Sequence, residues 1–267
     1  MKIATTPSLN NLELVFQGDY VFVLAQLYKK DERYREMIKE AKEKGLFLIM
    51  DCGTGDKNFE LSNEELLDLC EEILPNEVVP RDVLFNKDQT IENLYYWIQE
   101  LVKRNLIGKV DIHFVPQGNT IAEYLECYEF ALNYPLVKTI GLSKICIPHI
   151  MKGAESDQEI TDSRVELMKI LSAKKLIRKP LHFLGMQDVF EFNEYAENFS
   201  EGDRWFMRST DSCASILAGM NHSNWVLSQN MRLTTPRDYF ESEPLQPSQK
   251  TIALRNIEVL REVCKKI

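Results

Sequence analysis

The chain has 267 residues, 44% hydrophobic and 27% charged, with a formal charge of −9. That is enough for one large α/β domain with a substantial core, and it argues against a disordered or fibrous chain. The acidic balance opposes nonspecific adhesion to nucleic acid through a basic surface, and no apolar run is long enough to span a bilayer, so a soluble, cytoplasmic protein without a leader is expected.

Apolar runs rich in β-branched residues recur at Lys2 to Thr6, Tyr20 to Gln26, Leu46 to Asp51, Glu77 to Val83, Val110 to Gln117, Thr139 to Lys144, Leu181 to Met186 and Trp205 to Asp211. These are eight predicted strands. The first connection, Leu9 to Gly18, is short. A core-facing stripe of Tyr34, Met37, Ile38 and Ala41 marks a helix between Lys29 and Lys44, and Gly45 stops it. Helix starts are written as S-x-x-E at Ser62 and Glu65, T-x-x-E at Thr120 and Glu123, and D-x-x-E at Asp188 and Glu191. Ile91, Leu94, Tyr95, Ile98, Leu101 and Val102 follow the i, i+3, i+4, i+7 rule of an amphipathic helix. Pro148 to Thr161 reads as a mobile loop. An irregular segment over 212–248 precedes a closing helix at about 249–267. Alternating strands and helices predict a single-domain (β/α)8 TIM-type barrel.

Six cysteines, Cys52, Cys70, Cys127, Cys146, Cys213 and Cys264, form no close pair, which fits a reduced compartment. Cys146 and His149 make a C-x-x-H pair, but a structural zinc site needs four ligands and no second pair exists. A buried thiol and an unrelated histidine are expected there, with no metal and no other cofactor.

In a barrel the C-terminal strand ends converge on one mouth. Reading only those ends brings together Asp51, Asp82, Gln117, the Gly141-Leu142-Ser143 turn, Gly185 and Asp211. Two close carboxylates suit displacement at a sugar anomeric carbon, one attacking the oxocarbenium-like centre and the other moving protons. A single aspartate after a strand more commonly caps a helix or closes a turn, and Asp188 is read that way. Gly53 and Gly55 after Asp51 suggest backbone approaching a ligand. Arg204 with Arg208, and Arg232 with Arg237 near the mouth, are candidate nucleic-acid contacts. Lys174, Lys175, Arg178 and Lys179 read equally well as a solvated helix end.

The ordered motifs DCG, VVPRD, FVPQG, IGLSK, HFLGM and RSTDS, spread over roughly Leu46 to Gly219, resemble those of the tRNA-guanine transglycosylase-like barrels. They are most similar to the compact phage 7-deazaguanine DNA transglycosylases, which exchange guanine in DNA for a 7-deazaguanine. The resemblance implies that Asp211 is the nucleophile toward C1′ and Asp51 the general acid/base. It implies that Asp82 binds the Watson-Crick edge of the base, Gln117 its carbonyl, and Gly141 and Leu142 offer backbone groups. Gly53, Gly185, Leu184 and Met186 would line the base site, the last two as an apolar wall. It also implies base flipping or single-stranded DNA, a small-molecule 7-deazaguanine such as preQ0, host cytoplasm for a phage-encoded enzyme, and a possible homodimer or accessory protein.

Departures from the tRNA enzymes are the missing cysteine-rich zinc subdomain, Gly55 where a base-stacking aromatic often stands, with Phe59 as a substitute, and Ser212-Cys213-Ala214-Ser215 after the nucleophile. They favour DNA over tRNA, and tRNA is the alternative substrate. Two other readings stand beside these: a noncatalytic nucleic-acid or base-binding barrel subunit, against which Asp51 and Asp211 together argue, and an unrelated barrel acting on a small carbohydrate or phosphate.

Overall fold

Eight short parallel strands form one sheet in the computed structural model: β1 (Lys2–Thr5), β2 (Val21–Leu24), β3 (Leu48–Asp51), β4 (Glu77–Val78), β5 (Asp111–Phe114), β6 (Val137–Leu142), β7 (Leu181–Phe183) and β8 (Met207–Ser212). The structure describes residues 1–53, 61–152, 157–186, 189–225 and 235–267, with backbone alone at 152 and 157–161. Neighbours pair in sequence from β2 to β8, and β8 pairs with β1. The seam between β1 and β2 is bridged by one residue. The Asp19 N–H donates to the Ile3 carbonyl at 2.7 Å, and the Ile3 N–H donates to the Asp19 carboxylate at 2.9 Å. The sheet is thereby nearly closed into the expected (β/α)8 barrel in a single domain.

All eight predicted strands exist, and most are shorter than their apolar runs. β4 ends at Val78, so Asp82 stands on an extended segment beyond the strand, as Gln117 does beyond β5. Asp51 is the last residue of β3, and Asp211 lies inside β8, in register with Ala4.

The helices owe their ends to local chemistry and their positions to apolar faces. In α2 (Glu32–Glu43) the stripe Tyr34, Met37, Ile38 and Ala41 is buried as expected, each large side chain contributing ~1.5–3 kcal/mol. Gly45 takes φ +72° just past it. A reciprocal Ser62–Glu65 capping box starts α3 (Asn63–Ile73), and the Thr120 hydroxyl caps α5 (Ile121–Asn133) by accepting from the Glu123 N–H. Asp188 lies outside the described residues, and Glu191 makes a buried ion pair with Arg164 at 2.6 Å.

In α4 (Lys87–Lys103) the buried face is Thr90, Leu94, Trp97 and Leu101, whereas Tyr95 and Val102 are exposed. The apolar spacing identified the helix and misassigned part of its face, because Trp97 and the capping-side Thr90 fill the groove against the barrel.

The segment read as a mobile loop is mostly helical: α6 (Cys146–Lys152) and α7 (Asp157–Ala173) occupy it, with 153–156 outside the described residues. The segment read as irregular begins with a helix, α10 (Ala214–Met220), and contains a 3-10 turn at Tyr239–Glu241. The closing helix, Pro247–Cys264, packs on α10 with Ala253 against Gly219, and its Asn256 ties down the residues after α10, accepting from the Trp225 N–H at 2.8 Å and donating to the Ser223 carbonyl at 2.9 Å. Pro247 is at its start, where a missing N–H costs nothing.

None of the six cysteines is joined in a disulfide. Cys146 is buried against the Gly118 carbonyl and His149 packs on Phe85, separate roles as expected. No helix among the described residues is long and apolar enough to cross a membrane.

Candidate active site at the barrel mouth

The cleft at the C-terminal strand ends has a volume of about 630 Å³, inside the ~300–1,000 Å³ range of small-molecule sites. Every strand sends residues to it, including Thr6, Phe22, Asp51, Asp82, Val115, Lys144, Gly185 and Asp211. The three aspartates therefore share one cavity although they are scattered along the chain.

Their environments differ. Asp51 accepts from the Gly53 N–H at 3.0 Å; burial first, then the charges of Asp82 and Asp211, push its carboxyl up to about 7. Burial acts the same way on Asp211, but its hydrogen-bonding and electrostatic interaction with His182, then the Gly185 hydrogen bond and the charge of Lys144, outweigh it and hold this carboxyl below the ordinary value. His182 Nε2 lies 3.2 Å and the Gly185 N–H 2.9 Å from the same oxygen, Oδ1. Near neutral pH Asp211 is ionised, whereas Asp51 holds its proton far more readily. A split of this kind is what an acid/base and nucleophile pair requires.

Asp82 is buried at the cleft wall. Its Oδ2 accepts a short hydrogen bond from Gln117 Nε2, and its Oδ1 lies 3.4 Å from Cys52 Sγ. Gln117 is fully buried behind it, with Oε1 accepting from the Phe85 N–H at 3.2 Å. Gln117 thus orients Asp82 and does not border the cleft. Gly141 and Leu142 also stand away from the cavity surface: both are in the β6 ladder, and the Leu142 carbonyl accepts from the Leu184 N–H at 3.1 Å. The next residues, Ser143, Lys144 and Ile145, reach the cleft in their place, because a strand buried on both sides turns outward only where it ends.

Leu184, Gly185 and Met186 line the cleft. Two glycines are required by backbone geometry. Gly53 has φ +76° and an added Cβ would stand 2.8 Å from Gln26 Oε1; Gly185 has φ +61° and its Cβ would stand 2.7 Å from Lys144 Cδ. In both places a side chain from the end of the neighbouring strand crosses over the glycine. The Gly185 loop is secured from beneath by the buried Arg164, which donates to the Leu184 carbonyl at 2.7 Å.

Arg237 is exposed on the cleft rim, near the expected nucleic-acid path. Arg208 is not there: it enters the lower barrel and forms a bidentate pair with buried Glu77, its outer side beside Lys2 and Phe47. Position on a strand decides this, since residues early in β8 face the opposite end from Asp211. Arg232, Gly55 and Phe59 lie outside the described residues.

Sequence reading missed His182, Ser209, Lys144 and Gln26. His182 had a signal, a polar residue inside the apolar run LHFLG; Lys144 and Gln26 had none beyond standing at strand ends. Among the described residues no cluster of histidine, cysteine, aspartate and glutamate has the makings of a metal site.

Compared with known proteins, the chain matches no family model and no curated sequence.

Proposed function

We propose that this chain is a base-exchange glycosyltransferase that replaces guanine in DNA with a 7-deazaguanine of the preQ0 type. The observation that carries the reading is the pair of carboxylates on one cleft with opposite proton affinities, Asp51 pushed up to about 7 and Asp211 held low. Buried Asp82, steadied by Gln117, supplies what a guanine-type heterocycle needs: a carboxylate for its N1–H and exocyclic amine.

In the first step the ionised Asp211 oxygen bonds to C1′ and the C1′–N9 bond breaks. Its electron pair leaves with guanine, which takes the proton of Asp51. A covalent glycosyl-aspartate remains. In the second step the incoming base gives its N9 proton to the Asp51 carboxylate as N9 bonds to C1′, and Asp211 leaves with the electron pair of its ester bond. Two inversions retain configuration, and no oxidant, reductant or cofactor takes part. The target nucleotide must leave the helical stack for its C1′ to enter a cleft of this depth. Lys144 and Arg237 are the cations of the cleft wall and rim suited to its phosphates.

The test is incubation of the purified protein with guanine-containing DNA or tRNA and labelled 7-deazaguanine. Label in DNA supports the proposal, label in tRNA alone transfers it to RNA, and label in neither overturns both. Asp211→Asn is expected to fold normally and to lose at least ~10³-fold in exchange, the scale of removing a covalent nucleophile.

A further inference from the structure

The lower barrel holds a chain of buried polar groups that leads from one end to Asp211 at the other. Glu77 accepts both terminal nitrogens of Arg208 and the Thr139 hydroxyl at 2.9 Å. Arg208 Nε lies 3.3 Å from Ser209 Oγ, which is 3.0 Å from His182 Nδ1. His182 Nε2 closes the chain at Asp211 Oδ1. We propose that Glu77, Arg208 and Ser209 fix the tautomer of His182, and that His182 is thereby a positioning residue that presents Asp211 for attack. The inference rests on the reading of Asp211 as the nucleophile.

The direction of the chain follows from counting protons. An ionised carboxylate only accepts, so His182 Nε2 donates to Asp211 Oδ1; a guanidinium only donates, so Ser209 Oγ accepts from Arg208 and keeps its own hydrogen to donate to His182 Nδ1. The Tyr20 hydroxyl, 3.4 Å from the same nitrogen, is a second O–H donor. Nδ1 is therefore an acceptor, the ring proton sits on Nε2, and Nε2–H donates to Asp211 Oδ1. Phe22 stacked on the ring at 5.3 Å and His113 edge-on at 5.0 Å hold its plane.

The consequence falls on the two oxygens of Asp211. Oδ1 takes both donors, His182 and Gly185. Oδ2 has no hydrogen-bond partner among the described residues, and Asp211 borders the cleft. The chain thus holds the carboxylate through Oδ1 and leaves Oδ2, on a residue that borders the cleft, without a partner among the described residues, the role an orienting partner plays toward a reactive group.

Two readouts test this on the full chain. Nitrogen-15 NMR of histidine-labelled protein, with the His182 signals identified by their loss in His182→Gln, is expected to show a neutral Nε2–H ring, and Ser209→Ala to lower that fraction. A neutral Nδ1–H ring or an imidazolium at pH 7.5 overturns the chain. In exchange kinetics His182→Leu is expected to lose ~10²–10³-fold in kcat, the scale of removing one preorganised donor, with KM unchanged. His182→Gln, whose amide N–H can replace Nε2–H, is expected to recover most of that loss. A His182→Leu protein with wild-type kcat overturns the positioning role. Should His182→Leu fail to fold, the kcat of Ser209→Ala decides, an unchanged value again overturning it. Wild-type protein that exchanges neither DNA nor tRNA removes the nucleophile reading, and the NMR result still decides the tautomer.

Discussion

Replacing Asp51 by asparagine is expected to make the protein more stable as the pH rises, while removing the proton carrier. The folded state lifts this carboxyl from 3.8 to about 7, so the folded state holds the proton more tightly than the unfolded chain does. The stability this confers is fully present below about 3.8 and is lost as pH climbs through about 7. Three units at ~1.4 kcal/mol each give about 4 kcal/mol as the cost of ionised Asp51 above pH 7; water in the cleft screens the charge, and roughly half of that is expected. Asparagine stays neutral and its Oδ1 still accepts from the Gly53 N–H. Asp51→Asn should therefore match wild type at pH 4 and exceed it by about 2 kcal/mol at pH 8, a gain of ~4–8 °C in Tm for a chain of this size. Calorimetric melts of both proteins at pH 4, 6 and 8 measure the difference, since groups uncoupled from Asp51 cancel. A difference that does not grow with pH, or a variant less stable throughout, refutes the reasoning.

Three further outcomes follow from the same geometry. The exchange rate at limiting nucleic acid is expected to fall above pH 7, because guanine leaves with the Asp51 proton, and a pH–rate profile flat from pH 6 to 9 would contradict the assignment. Glu191→Leu removes the carboxylate from buried Arg164 and the acceptor of the Tyr195 hydroxyl; denaturant titration is expected to show a loss of about 3–5 kcal/mol. Gly141→Ala puts a methyl 2.8 Å from both His113 Nε2 and Val115 Cγ2, and overpacking there is expected to cost about 1–3 kcal/mol in the same assay.

The barrel was legible because its signals are local. Short apolar runs separated by capped amphipathic segments allow few architectures, and the boxes at Ser62 and Thr120 mark their helices from neighbouring residues alone. The errors arose where a residue's role depends on distant partners. Tyr95 and Val102 fit the helical period, yet Trp97 took the buried face. Arg208 resembled a nucleic-acid contact until Glu77, far away in sequence, was found beside it. Gln117 and Gly141 stand near strand ends, but strand ends alone do not say which residue reaches the cleft surface and which supports it.

The sequence by itself determined that eight parallel strands would alternate with helices and that Asp51, Asp82 and Asp211 would stand toward one mouth, because strand period and strand direction are written in neighbouring residues. Only the tertiary structure decided what those carboxylates are. Their proton affinities depend on burial, on one another's charge and on donors such as His182 and Gly185 that closure of the barrel brings within hydrogen-bond distance. Identical side chains became unequal because folding gave each a different dielectric and a different set of protons.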